Sequence, residues 1–240
     1  MKEREPEEMN PMPPELAHAF DRESRAAAPV DVIAAIEKNI TSELKPVRPL
    51  RPPGYFLAAL GLVFVLIVTS AVYHLHAYAV DVKSWLQMAA MYPALVVCAA
   101  LVALSLVRQM TPGSRHWIPP AVLPIAVGLL LIAIAVLTFR VQSEKDFIGW
   151  GQACLKTGAG WAAPSALLFW FPLRRGAMLS PRLAGGTAGM LAGLVGMSVL
   201  ELHCPNTNLM HILMFHLAHV VGGAFIGYCF GVLWETLRPE

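Results

Sequence analysis

The chain has 240 residues, 56% of them hydrophobic and only 14% charged, with a formal net charge of +2. An average soluble domain carries about 25% charged residues, so this composition reads as an integral membrane protein. The small net charge, with no basic run and no basic patch interleaved with aromatics, excludes direct nucleic-acid binding, and four cysteines without a CxxC pair exclude a zinc-finger spacing.

Residues 1–29 are rich in Glu, Pro, Ala and Arg and lack apolar periodicity. They cannot bury enough surface to offset ordering entropy and are expected to be disordered, with a short helix around Glu15 to Arg25 at most. From Asp31, an N-cap residue type, Val32, Ile33, Ile36, Ile40 and Leu44 recur at helical spacing until Pro46 stops the pattern. That predicts an amphipathic helix over 31–44. Helices this short are marginal alone in water, so it needs a surface, and both membrane lipid and a partner protein fit. Residues 45–53 then alternate cations with prolines, a stiff connector that completes a 1–53 arm.

Six apolar runs follow, within a predicted 54–235 membrane domain: Tyr55 to Tyr78, Trp85 to Val107, Pro120 to Thr138, Gly149 to Leu173, Leu183 to Leu202 and Leu209 to Trp234. Each is close to the roughly 20 residues that a hydrocarbon core requires, and long uniform stretches there must be helical. The expected fold is all-α: a polytopic membrane protein of six transmembrane helices with a short cytoplasmic N-terminal arm. The first run starts far too late for a cleavable secretory signal. Lys45, Arg48, Arg51, Arg108, Arg115, Arg174, Arg175, Arg182 and Arg238 fall on one side, against Lys83, Arg140, Lys145 and Lys156 on the other. Cations prefer the cytoplasm, which predicts both termini inside. Cys154 and Cys204 then share the external side with His74, His76, Glu201, His203 and His211. The fifth and sixth runs should pack closely, because Gly185, Gly189 and Gly193 face Gly223, Gly227 and Gly231 in a four-residue repeat. His216 and His219 lie beside that stripe and should face protein.

The external thiols carry the sharpest signal. They could form a disulfide, which needs Cα atoms within about 4.4–6.8 Å. They could instead hold a transient soft metal ion with His203 or His211, or be two unrelated small side chains. Cys98 and Cys229 fall mid-span, where a free thiol is an inert hydrophobe. His211, His216 and His219 could ligate haem or metal, but no second run offers a mid-span histidine, so hydrogen bonds to the fifth span or to a loop are expected instead. Glu201 should pair with one of these imidazoles or with Lys156. No nucleophile-plus-base pattern or phosphate-cradling loop appears, so the protein is not expected to be an enzyme. A membrane redox or haem carrier and a small transporter are the rival classes, the transporter weakened by the scarcity of ionisable groups at mid-span.

Ile40 to Pro49 (ITSELKPVRP), the run from Cys154 through Arg174-Arg175-Gly176 to Ser180-Pro181-Arg182-Leu183-Ala184-Gly185, and Leu202-His203-Cys204-Pro205-Asn206 with His211 and His216 downstream resemble the NrsF-like bacterial membrane anti-sigma factors. The likeness spans about residues 30 to 235, and the arm before it is longer than the family pattern. The resemblance implies a six-span inner-membrane protein whose cytoplasmic segment holds an extracytoplasmic-function sigma factor inactive. It also implies that Cys154 and Cys204 are sensor thiols for metal or oxidative stress, and that the Val32 to Leu44 helix binds the sigma factor.

Overall fold

The computed structural model describes residues 30–43, 51–115, 117–144 and 146–237. The arm over 1–29, Leu44, the connector as far as residue 50, and Lys145 and Arg238 of the charge count lie outside them. The chain forms two units, 1–49 and 50–240. In the first, helix α1 covers Val30–Glu43. It begins one residue before Asp31, a difference within the usual fraying of helix ends. Val32 and Ile36 are both exposed.

In the second unit every regular element among the described residues is helical. Helix α2, Pro53–Leu75, starts on a proline at its first position, where no intrahelical donor is needed. It buries Phe56, Leu60, Ile67 and Ala71, a stripe at helical spacing. The run expected to continue to Tyr78 stops at Leu75 because His76 turns into the left-handed region at φ 62°. A single turn, α3 (Tyr78–Val82), follows and delivers Lys83 to the interior. Helix α4, Trp85–Gln109, opens on a capping box in which Ser84 accepts the Gln87 N–H and the Gln87 side chain accepts the Ser84 N–H.

Helix α5, Leu123–Thr138, has 16 residues, about 24 Å at 1.5 Å per residue. It starts later than the expected Pro120 because residues 119–122 close a turn, with the Val122 N–H on the Pro119 carbonyl. Helix α6, Phe147–Leu173, is capped by the Asp146 carboxylate on the Gly149 N–H and contains Pro164 and Pro172. Helix α7 is Pro181–His203, and α8 runs Leu209–Leu237 with one π-helical turn at Ile212–His216. Four helices, α2, α4, α7 and α8, are long and apolar enough to cross a membrane. α5 is shorter than those four, and α6, with Lys156 and its prolines, is less apolar.

α7 is the core of the bundle, with 78% of its apolar window buried against the helices around it. Its glycines explain the closeness of α8. A Cβ on Gly189 would stand 2.0 Å from the Gly223 carbonyl oxygen, one on Gly193 2.1 Å from that of His219, and one on Gly185 2.4 Å from that of Gly227. The pairs step antiparallel, residue sums constant, so the two backbones touch along a continuous seam as the repeat predicted.

The loops sort to two ends. Ala177 N–H bonds the Met110 carbonyl, tying the α6–α7 loop to the end of α4, and Arg182 lies 3.9 Å from Glu235 near the end of α8. At the opposite end, a ring nitrogen of His203 lies 3.1 Å from the His76 carbonyl. Leu209 N–H bonds the Arg140 carbonyl, so the α2–α4, α5–α6 and α7–α8 connections meet there.

Candidate functional site

The site lies under that second end. Cys154, two turns into α6, and Cys204, directly after the last turn of α7, are both buried. Their sulfurs are 3.4 Å apart, with the Cys154 thiol donating to Cys204, and neither is in a disulfide. His211 at the start of α8 brings Nε2 to 3.3 Å from the Cys154 sulfur and 3.8 Å from the Cys204 sulfur. His216 completes the group: one ligand atom from each of Cys154, Cys204, His211 and His216 lies within 4.8 Å of every other. The Cys154 hydrogen bond, with help from the imidazoles, holds the Cys204 thiol well below the ordinary thiol range against the opposing effect of burial.

The π turn explains why both histidines reach this point. In a regular α-helix, residues five apart diverge by about 140°. The wider turn at Ile212–His216 absorbs the extra residue and brings His211 and His216 onto one side. Asn208 fixes the start of that helix, its side-chain oxygen accepting the Met210 N–H at 3.2 Å and the Gln142 N–H at 3.3 Å.

Carboxylates stand behind both imidazoles. Glu201, wholly buried, has one oxygen 2.7 Å from His216 Nδ1. Its other oxygen receives the Lys83 ammonium at 2.6 Å, and the same ammonium donates to the Glu201 carbonyl at 2.7 Å. The Tyr92 hydroxyl also donates to that carbonyl, at 3.2 Å. Both ends of the Lys83–Glu201 pair are sealed from solvent, at 1% and 0% exposure. Glu144 lies 3.5 Å from His211 Nδ1 and is held in place by the side-chain amides of Asn206 at 2.7 Å and Asn208 at 3.3 Å. Phe215 packs against the thiols and, with Phe147, against the His211 ring.

The remaining sequence-predicted residues fall elsewhere. His203 bonds the His76 carbonyl and is not in the cluster, so of the two alternatives, His203 or His211, it is His211 that stands beside the thiols. His219 lies 3.1 Å from the Leu155 carbonyl of α6, in space left by Gly158, so its hydrogen bond goes to α6 rather than to α7 or a loop. Glu201 takes Lys83 and His216 as partners in place of Lys156. His74 and His76 are exposed, Cys98 is buried in the main core, and Cys229 is exposed on the bundle surface. The sequence places Lys83 only among the outer cations and gives Glu144 and Tyr92 no role. An isolated lysine beside an apolar run was the one signal that could have pointed to Lys83.

The profile of the family described as "Negative regulator of sigma F" matches residues 40–234. A "Probable anti-sigma-F factor NrsF" from Azospira oryzae is 30% identical over 142 residues, which is 57% of this chain and 66% of that relative's length. No solved structure matches. With the profile covering most of its length and this relative beside it, the chain belongs to the NrsF family of negative regulators of sigma F.

Proposed function

We propose that the protein is a membrane-bound anti-sigma factor. It holds an extracytoplasmic-function sigma factor through its N-terminal arm and releases it when metal or oxidative stress reaches Cys154 and Cys204. The observation that carries this reading is the family match over residues 40–234. In this reading all six long helices cross the inner membrane, and both termini are cytoplasmic. Two facts support that topology: alternate loops gather at opposite ends of the bundle, and Lys83, counted among the outer cations, is buried in an ion pair, which sharpens the charge asymmetry.

The arm offers Val32, Ile33, Ile36, Ile40 and Leu44 at helical spacing, and Val32 and Ile36 are exposed. An apolar helical face of this kind suits a groove on a protein partner. The input is chemical: two thiol groups 3.4 Å apart with an imidazole beside them are a target for soft ions and for oxidants. Its coupling to the arm requires two arrangements of the packed helices. Shifting a partner from 99% to 1% held takes about 5.5 kcal/mol of differential stability, within reach of a bound metal or a disulfide.

The test is a reporter driven by the sigma factor that co-purifies with the full-length protein from membranes. Cys154→Ser and Cys204→Ser each fix the reporter at one level whatever metal or oxidant is added, and Val32→Asp with Ile36→Asp raises it constitutively. A reporter that still responds fully in both cysteine variants refutes the sensor role. A membrane preparation that captures no sigma factor refutes the whole reading.

A further inference from the structure

We infer that Cys154, Cys204, His211 and His216 are the complete ligand set of a resident four-coordinate zinc ion, oriented by Glu144 and Glu201. The inference rests on the reading above only for the identity of the site; the chemistry of the four side chains carries it.

Geometry comes first. Zinc binds thiolate at about 2.3 Å and imidazole at about 2.0–2.1 Å, so a tetrahedral ion with two of each has ligand–ligand edges of roughly 3.3–3.8 Å. The sulfur–sulfur separation here is 3.4 Å, and the two sulfur–nitrogen separations to His211 are 3.3 and 3.8 Å. Against the roughly 3.8 Å of a sulfur–sulfur edge and roughly 3.6 Å of a sulfur–nitrogen edge, all three are within about 0.4 Å of the required length. His216 lies within 4.8 Å of the other three ligands, so closing its edges takes a movement on the order of 1 Å.

The surroundings are those of a metal site. Ligating histidines usually give their second nitrogen to a carboxylate, which fixes the ring and raises its basicity. Here Glu201 bonds His216 Nδ1 at 2.7 Å, and Glu144 stands 3.5 Å from His211 Nδ1, within ion-pair reach but without a hydrogen bond. The buried Nε2 of His216 has no hydrogen-bond partner, a costly state for a polar atom sealed from water unless something else takes its lone pair. Glu144 is carried by two asparagine amides, and Glu201 by Lys83. A disulfide alone would need none of this.

Proton balance is simple. Both sulfurs bind as thiolates, so Zn²⁺ displaces to solvent whatever thiol protons the pair carries; two thiolates then neutralise the ion, and the Lys83–Glu201 pair stays neutral overall. Four protein ligands leave no open position for a water molecule, as in structural sites rather than catalytic ones. A resident ion would join α6, α7 and α8 at one point. A softer ion that displaces zinc, or an oxidant that takes the two thiolates to a disulfide and is itself reduced by two electrons, would change that joint.

The test uses the full-length protein in detergent, with metal content by mass spectrometry and Co²⁺ as a spectroscopic substitute. The expected results are one zinc per chain as purified, and a Co²⁺ form showing intense tetrahedral d–d bands with sulfur-to-metal charge transfer. Cys204→Ser and His211→Asn abolish that spectrum. Because His216 and Glu201 sit in the core, the informative milder variant is Glu144→Gln at the rim, which keeps the one-to-one stoichiometry and weakens zinc binding by about 10- to 100-fold. Weak octahedral Co²⁺ bands, or a tetrahedral spectrum unchanged in His211→Asn, overturn the inference. Sigma-factor capture is measured on the same preparations. Zinc-loaded protein that captures none supports the metal site while refuting the proposed function; metal-free protein that captures it fully, with Co²⁺ giving no tetrahedral bands, does the reverse.

Discussion

The Lys83–Glu201 pair sets a quantitative expectation. The two side chains are 1% and 0% exposed, and Lys83 donates twice to Glu201, once to the carboxylate and once to the main-chain carbonyl. Lys83→Met removes the cation and leaves a buried carboxylate with His216 as its remaining side-chain partner. Removing one member of a buried pair typically costs about 3–5 kcal/mol, because the survivor cannot be rehydrated. At about 1.4 kcal/mol per decade, that is roughly a 140- to 3,700-fold shift in the unfolding equilibrium. Glu201→Gln should cost a similar amount, leaving an unmatched ammonium. The double variant carries no stranded charge and should be less destabilised than the two singles summed by about 2–4 kcal/mol. The assay is reversible unfolding by SDS titration from mild-detergent micelles, followed by tryptophan fluorescence, for the four proteins of the cycle. Additivity within about 0.5 kcal/mol would falsify the pairing. A Lys83→Met cost below about 1 kcal/mol would mean the ammonium reaches water and behaves as a surface ion pair.

Other expectations use the same apparatus. Gly189→Ala pushes a Cβ onto the Gly223 carbonyl, a backbone atom that cannot step aside, and should destabilise by about 1–3 kcal/mol. Gly222→Ala, with nothing within 4 Å of the added carbon, should be neutral or stabilise by up to about 1 kcal/mol. Equal effects at the two sites would rule out the seam as the reason for the glycines. Asn208→Ala removes the cap of α8 and the clamp on Gln142 and Glu144; a loss of about 1–2 kcal/mol is expected, and a null result in the titration would show the cap is dispensable. Gly158→Ala drives a carbon to within 2.4 Å of the His219 ring, and should loosen α6 against α8 enough to speed proteolysis at their shared face.

The sequence was most informative where a pattern repeats. Gly185, Gly189 and Gly193 against Gly223, Gly227 and Gly231 could be matched without coordinates, because a period of four in an apolar helix has one geometric use. Cys154 and Cys204 could be brought together by counting cations and loops, since alternation of sides is a one-dimensional rule. His216 resisted the same logic. On a regular helix it points away from His211, and a single π turn, with no residue signature of its own, reverses that. Glu144 and Lys83 were illegible for a different reason: each sits in a short connection, and their partners are 62 or more positions away. Periodicity cannot report pairings of that range. The third run was overestimated because Pro119 and Pro120 belong to a turn whose apolar composition matches that of the helix after it.

The π turn ties function to chain length. A helix that holds one surplus residue between two side chains facing a common point can lose that residue and become more regular, with every hydrogen bond formed. Straightening the π turn at the present chain length would turn His211 about 140° from His216 and off the thiols, whereas deleting Leu213 would leave a regular helix with the two histidines four apart, about 40° from one another and on one side. The surplus residue is therefore where, at this chain length, a better-formed backbone and a working site are opposed, and a one-codon deletion would reconcile them.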